Sequence, residues 1–331
     1  ASNSILSIGQ GISAANNITL LGNAFVDVSM GGTGSLLGNI SGNNGSLTKI
    51  GPNVLSLLGH NNYASGTTIS GGTLALVSGG SLSNSGAVTL SSGTFDISAI
   101  DAQSTQIGDL TSSIGTIVAL GPKTLIFGAD NSTFVAGTIS GDGGAIEKLG
   151  SGDVTFAAVN SFTGGTTVNS GAIFLSGLGS FASTGAVTLN DSAKFDISGI
   201  TAVDTTVGDL TTSSQSVISL GSKQLIFGGS NDTALLGSIV GLGSLAKNGS
   251  ATVEILNANT FSGGMFLNDG QLVVGQSGAL GSGVFTTADG TAFTLADGVV
   301  LSNNVDLFSG NTDIIVKADE KAYITGLSEG S

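Results

Sequence analysis

Residues 160–175 read NSFTGGTTVNSGAIFL, and versions of this phrase occur three times in the chain. Residues 61–76 read NNYASGTTISGGTLAL and residues 259–274 read NTFSGGMFLNDGQLVV, so successive copies lie 99 residues apart. The glycines and the apolar positions are kept, while most of the polar letters change. This pattern predicts a repeated structural unit with a fixed interior and a variable exterior.

The repeat extends well beyond this phrase. Lys49, Lys148 and Lys247 are also 99 residues apart, whereas the motif FDIS recurs at a spacing of 100, at 95–98 and 195–198. One residue is therefore inserted in the second copy, after the motif GAVTL. An array that tolerates such an insertion is typical of stacked units that contact only their neighbours.

The expected domain organisation is a single fragment, residues 1–331, built from repeats of about one hundred residues. Two copies are predicted at 47–146 and 146–244, and a divergent third copy at 245–331 loses the pattern after about residue 280. Another repeat phrase is due where the sequence stops at Ser331, so we expect the natural protein to continue.

The local pattern indicates β structure almost throughout. Short runs such as VTL, FDI and LIF are β-branched or aromatic and are bounded by Gly, Asn, Asp or Ser. No segment keeps a period of 3.6 residues, and no helix-capping motif precedes an amphipathic run. An all-β chain with turns every few residues is expected, either a sandwich or a solenoid.

The long repeat and the alternation of apolar and hydroxyl residues favour a parallel β-helix. In that fold inward residues stack into apolar columns and the residues between them face water. With ~20–25 residues per coil, the chain is predicted to form ~14 coils in a single elongated rod roughly 70 Å long.

Three register positions are predicted to lie inside this coil, and three glycines to mark its turns. Burial of each such apolar side chain contributes ~1.5–3 kcal/mol before entropy is counted. Glycine suits turns that need a positive φ or a close backbone approach. The predicted inner positions are Tyr63, Phe162 and Phe261, then Ile69, Val168 and Leu267, then Leu74, Ile173 and Leu272, and the glycines are Gly72, Gly171 and Gly270.

Composition excludes several classes of function. The net charge is -14, with 8 lysines and no arginine, which argues against nucleic acid and anionic membranes as partners. The absence of cysteine excludes disulfides and thiolate metal sites. No apolar run is long enough for a transmembrane helix. No cofactor is expected.

The three phrases resemble the passenger-associated transport repeat of bacterial autotransporters, with the pattern LxKxG followed by NxFxGG and GxLxL. Here it reads LTKIGPNVLSLLGHNNYASGTTISGGTLAL, IEKLGSGDVTFAAVNSFTGGTTVNSGAIFL and LAKNGSATVEILNANTFSGGMFLNDGQLVV. The third copy departs from it, because Met265 and Phe266 replace two threonines.

The resemblance implies a passenger domain folded as a right-handed parallel β-helix, at the bacterial cell surface or released to the medium. It also implies export through the outer membrane by a C-terminal β-barrel translocator, which is absent from this chain. The lack of cysteine agrees with export of an unfolded chain.

Candidate catalytic residues are isolated. His60 is the single histidine and aligns with Val159 and Ala258, so it is expected to be a turn or surface residue. Residues 326–330, GLSEG, match the nucleophile-elbow pattern at Ser328, but no helix, acid or histidine follows. We therefore predict no catalytic, metal or cofactor-binding residues, and the binding residues are unknown.

Several acidic residues recur without forming a site. Asp96 and Asp196, and Asp109 and Asp209, are expected to cap turns next to strands. Copies several coils apart cannot form one acid–base pair. The scattered residues Asp130, Asp142 and Asp232 could hold only a weak surface ion.

Three functions are consistent with these features. The preferred one is a non-enzymatic adhesin or host-interaction rod that binds a host cell-surface or extracellular-matrix component, or that self-associates along its length. The second is the stalk of a passenger whose enzymatic or toxin module lies elsewhere. The third, a polysaccharide-acting enzyme, is disfavoured because arginine is absent and lysine is sparse.

Overall fold

The computed structural model describes residues 4–9, 11–29, 31–307, 311–316 and 320–326. The chain divides into two compact units, Ala1–Gly164 and Gly165–Ser331. Every regular element in the described ranges is a β-strand. Accordingly, none of these residues lies in a helix that could cross a membrane.

The first unit contains eighteen short strands that wind around an apolar interior. The strands are β1 (Ser4–Ser7), β2 (Ser13–Ala14), β3 (Ile18–Thr19), β4 (Asn23–Asp27), β5 (Thr33–Leu36), β6 (Ile40–Ser41), β7 (Ser46–Ile50), β8 (Val54–Leu57), β9 (Thr67–Ser78), β10 (Val88–Ile100), β11 (Ser104–Gln106), β12 (Leu110–Ser112), β13 (Ile117–Ala119), β14 (Thr124–Phe127), β15 (Thr133–Val135), β16 (Thr138–Ser140), β17 (Ala145–Lys148) and β18 (Val154–Phe156).

Strand pairing in the first unit is parallel and forms three faces. One face runs through β1, β4, β7, β9, β10 and β12, a second through β5, β8, β9, β10, β13 and β16, and a third through β11, β14 and β17. Paired residues such as Phe25 and Thr48 are one coil apart in the chain. A parallel β-helix is therefore confirmed for this unit.

The second unit repeats the three-faced plan with twenty strands. They are β19 (Gly165–Val168), β20 (Ala172–Gly177), β21 (Val187–Leu189), β22 (Lys194–Ile200), β23 (Asp204–Thr206), β24 (Leu210–Thr212), β25 (Val217–Ser219), β26 (Gln224–Phe227), β27 (Thr233–Leu235), β28 (Ser238–Val240), β29 (Ser244–Lys247), β30 (Thr252–Ile255), β31 (Met265–Leu267), β32 (Gln271–Val274), β33 (Phe285–Thr287), β34 (Ala292–Leu295), β35 (Val300–Leu301), β36 (Val305–Leu307), β37 (Asp313–Val316) and β38 (Tyr323–Ile324).

Its faces are also parallel. The first face runs through β19, β21, β24, β27, β30, β32, β34 and β37. The second face runs through β20, β22, β25 and β28. The third face runs through β23, β26, β29, β31, β33 and β36. The parallel β-helix is confirmed here as well.

The predicted inner positions are all confirmed. All nine of these side chains are at most 1% exposed. The three predicted turn glycines have positive φ, at 62° for Gly72, 66° for Gly171 and 70° for Gly270. A Cβ at Gly72 would lie 2.3 Å from the carbonyl oxygen of Asn53, so close approach adds to the conformational reason for glycine.

The inserted residue of the second copy lies at a corner between two faces. In the first copy the corner is crossed by the single strand β10, with Leu90 and Phe95 pointing inward. In the second copy a turn, closed by the N–H of Ala193 donating to the carbonyl of Asn190, separates β21 from β22. Leu189 on β21 and Phe195 on β22 are still fully buried, so the insertion does not change the inner register.

Candidate functional site

The repeat lysines lie inside the coil. Lys49 stands in an inward column between Val26 and Ile69 of the neighbouring strands, and it has no exposed surface. Lys148 and Lys247 are equally buried. The aliphatic stem of lysine can pack in an apolar column while its ammonium reaches a polar edge. These side chains therefore belong to the interior although they carry charge.

Backbone carbonyl oxygens surround the ammonium of Lys49. Its Nζ donates to the oxygens of Ile50 at 2.7 Å, Gly51 at 2.8 Å and Gly71 at 3.1 Å. The first two oxygens belong to the turn that follows the lysine, and the third belongs to the next coil. We call this set of oxygens the carbonyl cage. Because it joins two coils, the lysine links neighbouring layers of the stack.

Carbonyl oxygens also accept from the ammonium in the other two copies. Lys148 donates to the carbonyl oxygens of Leu149 at 2.7 Å and Gly150 at 2.9 Å. Lys247 donates to the carbonyl oxygen of Gly249 and, in the next coil, to that of Asp269 at 2.9 Å.

Glycine at the second position after each lysine orients the cage. Gly51, Gly150 and Gly249 have φ of 79°, 57° and 76°, a region that other residues rarely adopt. This backbone turns the glycine carbonyl toward the preceding lysine. The spacing Lys-x-Gly in the repeat therefore has a geometric cause.

Burial lowers the pKa of all three lysines from the ordinary value, because the charged form loses water. Carboxylates near the cages oppose this shift in the pKa. They are Asp27 for Lys49, Asp153 and Asp109 for Lys148, and Asp269, Asp209 and Asp232 for Lys247.

A buried asparagine follows each lysine by twelve residues. The Oδ1 of Asn61 accepts from the N–H of Ile40 at 3.0 Å, and its Nδ2 donates to the carbonyls of Gly59 and Ser81 at 2.8 and 2.9 Å. Ile40 and Ser81 lie in the coils before and after. One amide side chain therefore connects three layers.

The other copies repeat this bridge. Asn160 accepts from the N–H of Ile139 at 2.9 Å, and Asn259 accepts from Ile239 at 2.7 Å. Asn259 also donates to the carbonyl of Ala279 in the following coil at 2.7 Å. The lysine, the asparagine and the turn glycine form the polar framework of each repeat.

Sequence reasoning placed these lysines in register but missed their role and that of the asparagines. A detectable signal was present. Each lysine ends a run in which inward and outward residues alternate, such as Leu47–Thr48–Lys49. The lysine falls at the next inward position after the apolar residue. A charged residue that occupies an inward position of the strand in all three copies indicates a buried, hydrogen-bonded group.

The recurring acidic residues serve the backbone, as predicted, but two of them lie elsewhere than expected. Asp96 and Asp196 are inside β10 and β22 rather than at strand ends, because each strand continues past a bulge. Each carboxylate accepts from the N–H two residues later, at Ser98 and Ser198, at 2.9 Å.

Asp196 has an additional partner. Lys194 Nζ lies 2.9 Å from its carboxylate and 5.2 Å from the ring centre of Phe174. Burial alone would raise the pKa of Asp196, but the hydrogen bonds from Lys194 and Ser198 outweigh it and hold this pKa below its ordinary value.

Asp109 and Asp209 hold the turn of the next coil. Asp109 accepts from the N–H of Ala129 and from Asn131 Nδ2, both at 2.7 Å, and Asp209 accepts from Asn231 Nδ2 at 2.6 Å. These contacts confirm the capping interpretation.

The remaining acidic candidates are not brought together. Asp130 accepts from Ser151 Oγ at 2.8 Å, Asp142 from Thr163 Oγ1 at 3.1 Å, and Asp232 from the N–H of Thr252 at 2.8 Å. Among the described residues no group of three or more His, Asp or Glu side chains could hold a metal ion.

His60 is exposed in a polar column, at an isolated parallel β-bridge with Ser81. Its N–H donates to Asn39 Oδ1 at 2.9 Å, as the N–H of Asn39 donates to Asn17 Oδ1, and its Nδ1 lies 3.2 Å from Ser81 Oγ. The predicted surface position of His60 is confirmed. Ser328 lies outside the described residues.

A cavity of about 530 Å³ opens at the first coil of the first unit. Its lining is mainly apolar and contains no titratable side chain, which gives it no acid–base chemistry. The lining residues are Ser4, Ile5, Leu6, Ile18, Thr19, Leu20, Leu21, Gly22, Asn23, Ala24, Val26, Leu36, Ile40 and Leu47.

Comparison with known proteins identifies the repeats. Residues 47–76, 146–173 and 245–274 match the family Passenger-associated-transport-repeat. The chain is 27% identical over 215 residues to the adhesin BmaC autotransporter of Brucella suis biovar 1 (strain 1330). No solved structure matches the chain.

That alignment covers 62% of this chain and 6% of the curated relative, so the chain spans a small part of the relative's length. The matches confirm the predicted autotransporter passenger repeats. They also confirm the predicted location at the bacterial cell surface or in the medium.

Proposed function

We propose that the chain is a non-enzymatic segment of an autotransporter adhesin that contacts a host cell-surface or extracellular-matrix component. The observation that carries this proposal is the match of three transport repeats together with similarity to an autotransporter adhesin. The full-length protein would also contain the C-terminal outer-membrane barrel that exports this passenger.

Extended columns on the outside of the coil are the proposed contact surface. In the first unit Thr48, Thr68, Thr89 and Thr111 pair in consecutive coils and point outward, half-buried. Parallel neighbours in such a column are ~4.8 Å apart. A regular row of hydroxyl groups suits a long, repetitive or extended ligand better than a small molecule.

The second unit presents a matching column. Thr167, Thr188 and Thr211 are paired in consecutive coils, at positions equivalent to Thr68, Thr89 and Thr111. We call both rows the threonine columns. Their recurrence gives the passenger two copies of one surface chemistry, and weak contacts gain strength when several act together.

Charge limits the choice of partner. The net charge is -14, and the ammonium groups of three of the 8 lysines are enclosed in carbonyl cages. The accessible surface is therefore more anionic than the composition suggests. Neutral or cationic host components fit this surface, whereas nucleic acid does not.

Binding of the purified chain to cultured host cells and to immobilised matrix proteins tests the proposal. We expect saturable binding that Thr68→Glu combined with Thr89→Glu reduces at least tenfold. Thr138→Glu, at a half-buried outward position on the second face, is the matched control and should bind as the parent does. Circular dichroism must show that all three chains are folded.

The second candidate function is a stalk, and the small share of the relative that the chain covers favours it. A folded chain that binds no cell or matrix component, while another segment of the same protein does, would replace the adhesive role with the stalk. Concentration-dependent self-association measured by sedimentation would instead indicate contacts between copies of the chain.

A further inference from the structure

We propose that the carbonyl cage of the repeat is a monovalent-cation site in its own right, and that the lysine ammonium is a cation tethered in it. A cage without the tether would accept potassium, ammonium or a short primary alkylammonium ion. This inference concerns the construction of the repeat and is independent of adhesion.

The backbone builds the cage without help from the lysine side chain. The positive φ of Gly51 and Gly249 directs one carbonyl inward. Strand pairing fixes the oxygen from the next coil, because Lys49 pairs with Ile69 two residues before Gly71. Lys247 pairs with Leu267, two residues before Asp269. Removal of the lysine side chain leaves these pairings in place.

The chemistry of the oxygens selects the class of ion. The atoms that contact Lys49 Nζ, at 2.7 to 3.1 Å, are neutral carbonyl oxygens. Rings of backbone carbonyls replace the hydration shell of potassium in ion channels. Magnesium and calcium sites instead take carboxylates into direct coordination. Neutral oxygens at these distances therefore suit a monovalent ion.

The surroundings add a negative potential. Asp27 raises the pKa of Lys49, and Asp269, Asp209 and Asp232 do so for Lys247, although burial dominates and lowers both pKa values. These carboxylates favour any cation that enters the cage. The cage oxygens lose a hydrogen-bond donor when the lysine side chain is removed, which provides a further drive for occupancy.

Lys247→Ala tests the proposal, because it opens a channel the length of the missing stem. We expect propylammonium chloride to raise the thermal midpoint of this variant in a saturable manner by roughly 2–6 °C. Potassium should raise it less, because it leaves the channel unfilled. Tetramethylammonium, which cannot donate a hydrogen bond, should match sodium chloride at equal ionic strength.

Lys247→Met is the matched control. Its side chain fills the channel without charge, so propylammonium should not shift its midpoint, and the parent chain should not respond either. Lys49→Ala should reproduce the response in the first unit. Equal shifts in all these chains, or no shift specific to primary ammonium ions in either alanine variant, would overturn the proposal.

If Lys247→Ala does not fold in sodium chloride, its refolding yield becomes the readout. Propylammonium should then increase the yield of β-structured, soluble chain, and tetramethylammonium should not. A yield unchanged by propylammonium would count against the site. Neither result depends on host-cell binding, so the proposed function is tested separately.

Discussion

Two lysines in the second unit, Lys247 in the interior and Lys194 at the surface, carry the same charge in opposite ways. Lys247 is fully buried and is held by main-chain carbonyls of its own and the next coil. The side chain of Lys194 is 37% exposed and is paired with the carboxylate of Asp196. The interior lysine occurs in every copy, whereas the first copy has Thr94 in place of Lys194.

The two lysines differ in which groups would lose a hydrogen-bond partner if the side chain were removed. Loss of Lys247 leaves the main-chain carbonyls of Gly249 and Asp269 without this donor, and no substitution can remove a main-chain carbonyl. Loss of Lys194 leaves Asp196 with its hydrogen bond from Ser198, as Asp96 has from Ser98 in the first copy. A side chain that satisfies the main chain is therefore kept, and one that satisfies another side chain is replaceable.

The largest effect is expected for Lys247→Met. The substitution keeps an apolar stem but removes the ammonium that donates to the carbonyls of Gly249 and Asp269, and we expect the unfolding free energy to fall by about 3 kcal/mol. Urea denaturation followed by circular dichroism measures it. Lys223→Met, at a half-buried surface position, should change stability by no more than about 0.5 kcal/mol. Similar losses in both variants would remove the distinction between interior and surface lysines.

Asn259→Ala should rank next, with a loss of about 2 kcal/mol, because the N–H of Ile239 and the carbonyl of Ala279 lose their partner. Hydrogen exchange should show faster exchange at Ile239. The control is Asn268→Ala, which removes an exposed amide contact with Asn248. Unchanged exchange at Ile239 would show that the amide does not bridge the coils.

Tyr63→Phe should cost about 1 kcal/mol. The buried Tyr63 hydroxyl lies 2.7 Å from Thr67 Oγ1, a pair that the third copy replaces with Phe261 and Met265. Adding Thr67→Val should restore most of the loss, since both partners are then apolar. Additive losses in the double variant would contradict this coupling, and a double-mutant cycle measures it.

The smallest effect concerns the pH dependence of the pair formed by the half-buried Lys194 and the buried Asp196. The pKa of Asp196 is lower in the folded state than its ordinary value of 3.8, so its stabilising contribution is present above that pH and is lost as the pH falls below it. Asp196→Asn should therefore differ from the parent by under about 1 kcal/mol at neutral pH. The difference should shrink on acidification, and a constant difference across this range would contradict the assignment.

The buried positions could be predicted because corresponding coils of the repeat carry apolar residues at the same positions. Val168, Ile69 and Leu267 recur at equal spacing, and each faces the interior because alternation along a strand leaves no other choice. The adhesin hypothesis rested on the expected polar exterior without a catalytic set and on the resemblance to autotransporter passengers, because no motif in the sequence identifies a ligand.

The buried lysines could not be assigned in the same way. Rules of polarity place a charged residue outside, and one of the three carbonyls that hold Lys49 lies 22 residues away, at Gly71. The predicted position of Asp96 at a strand end was wrong for a related reason. A bulge lets β10 continue through residues that read as a strand end, and bulges have no strong sequence signature.

The corner that separates β21 from β22 affects how the length of the sequence can change in evolution. It absorbs one additional residue while Leu189 and Phe195 keep their places in the interior. Length can therefore vary at such corners without refolding the faces, whereas a residue added within a face would reverse every side chain that follows. A parallel β-helix built in this way can change the length of its corners one at a time while the buried residues of its faces stay in place.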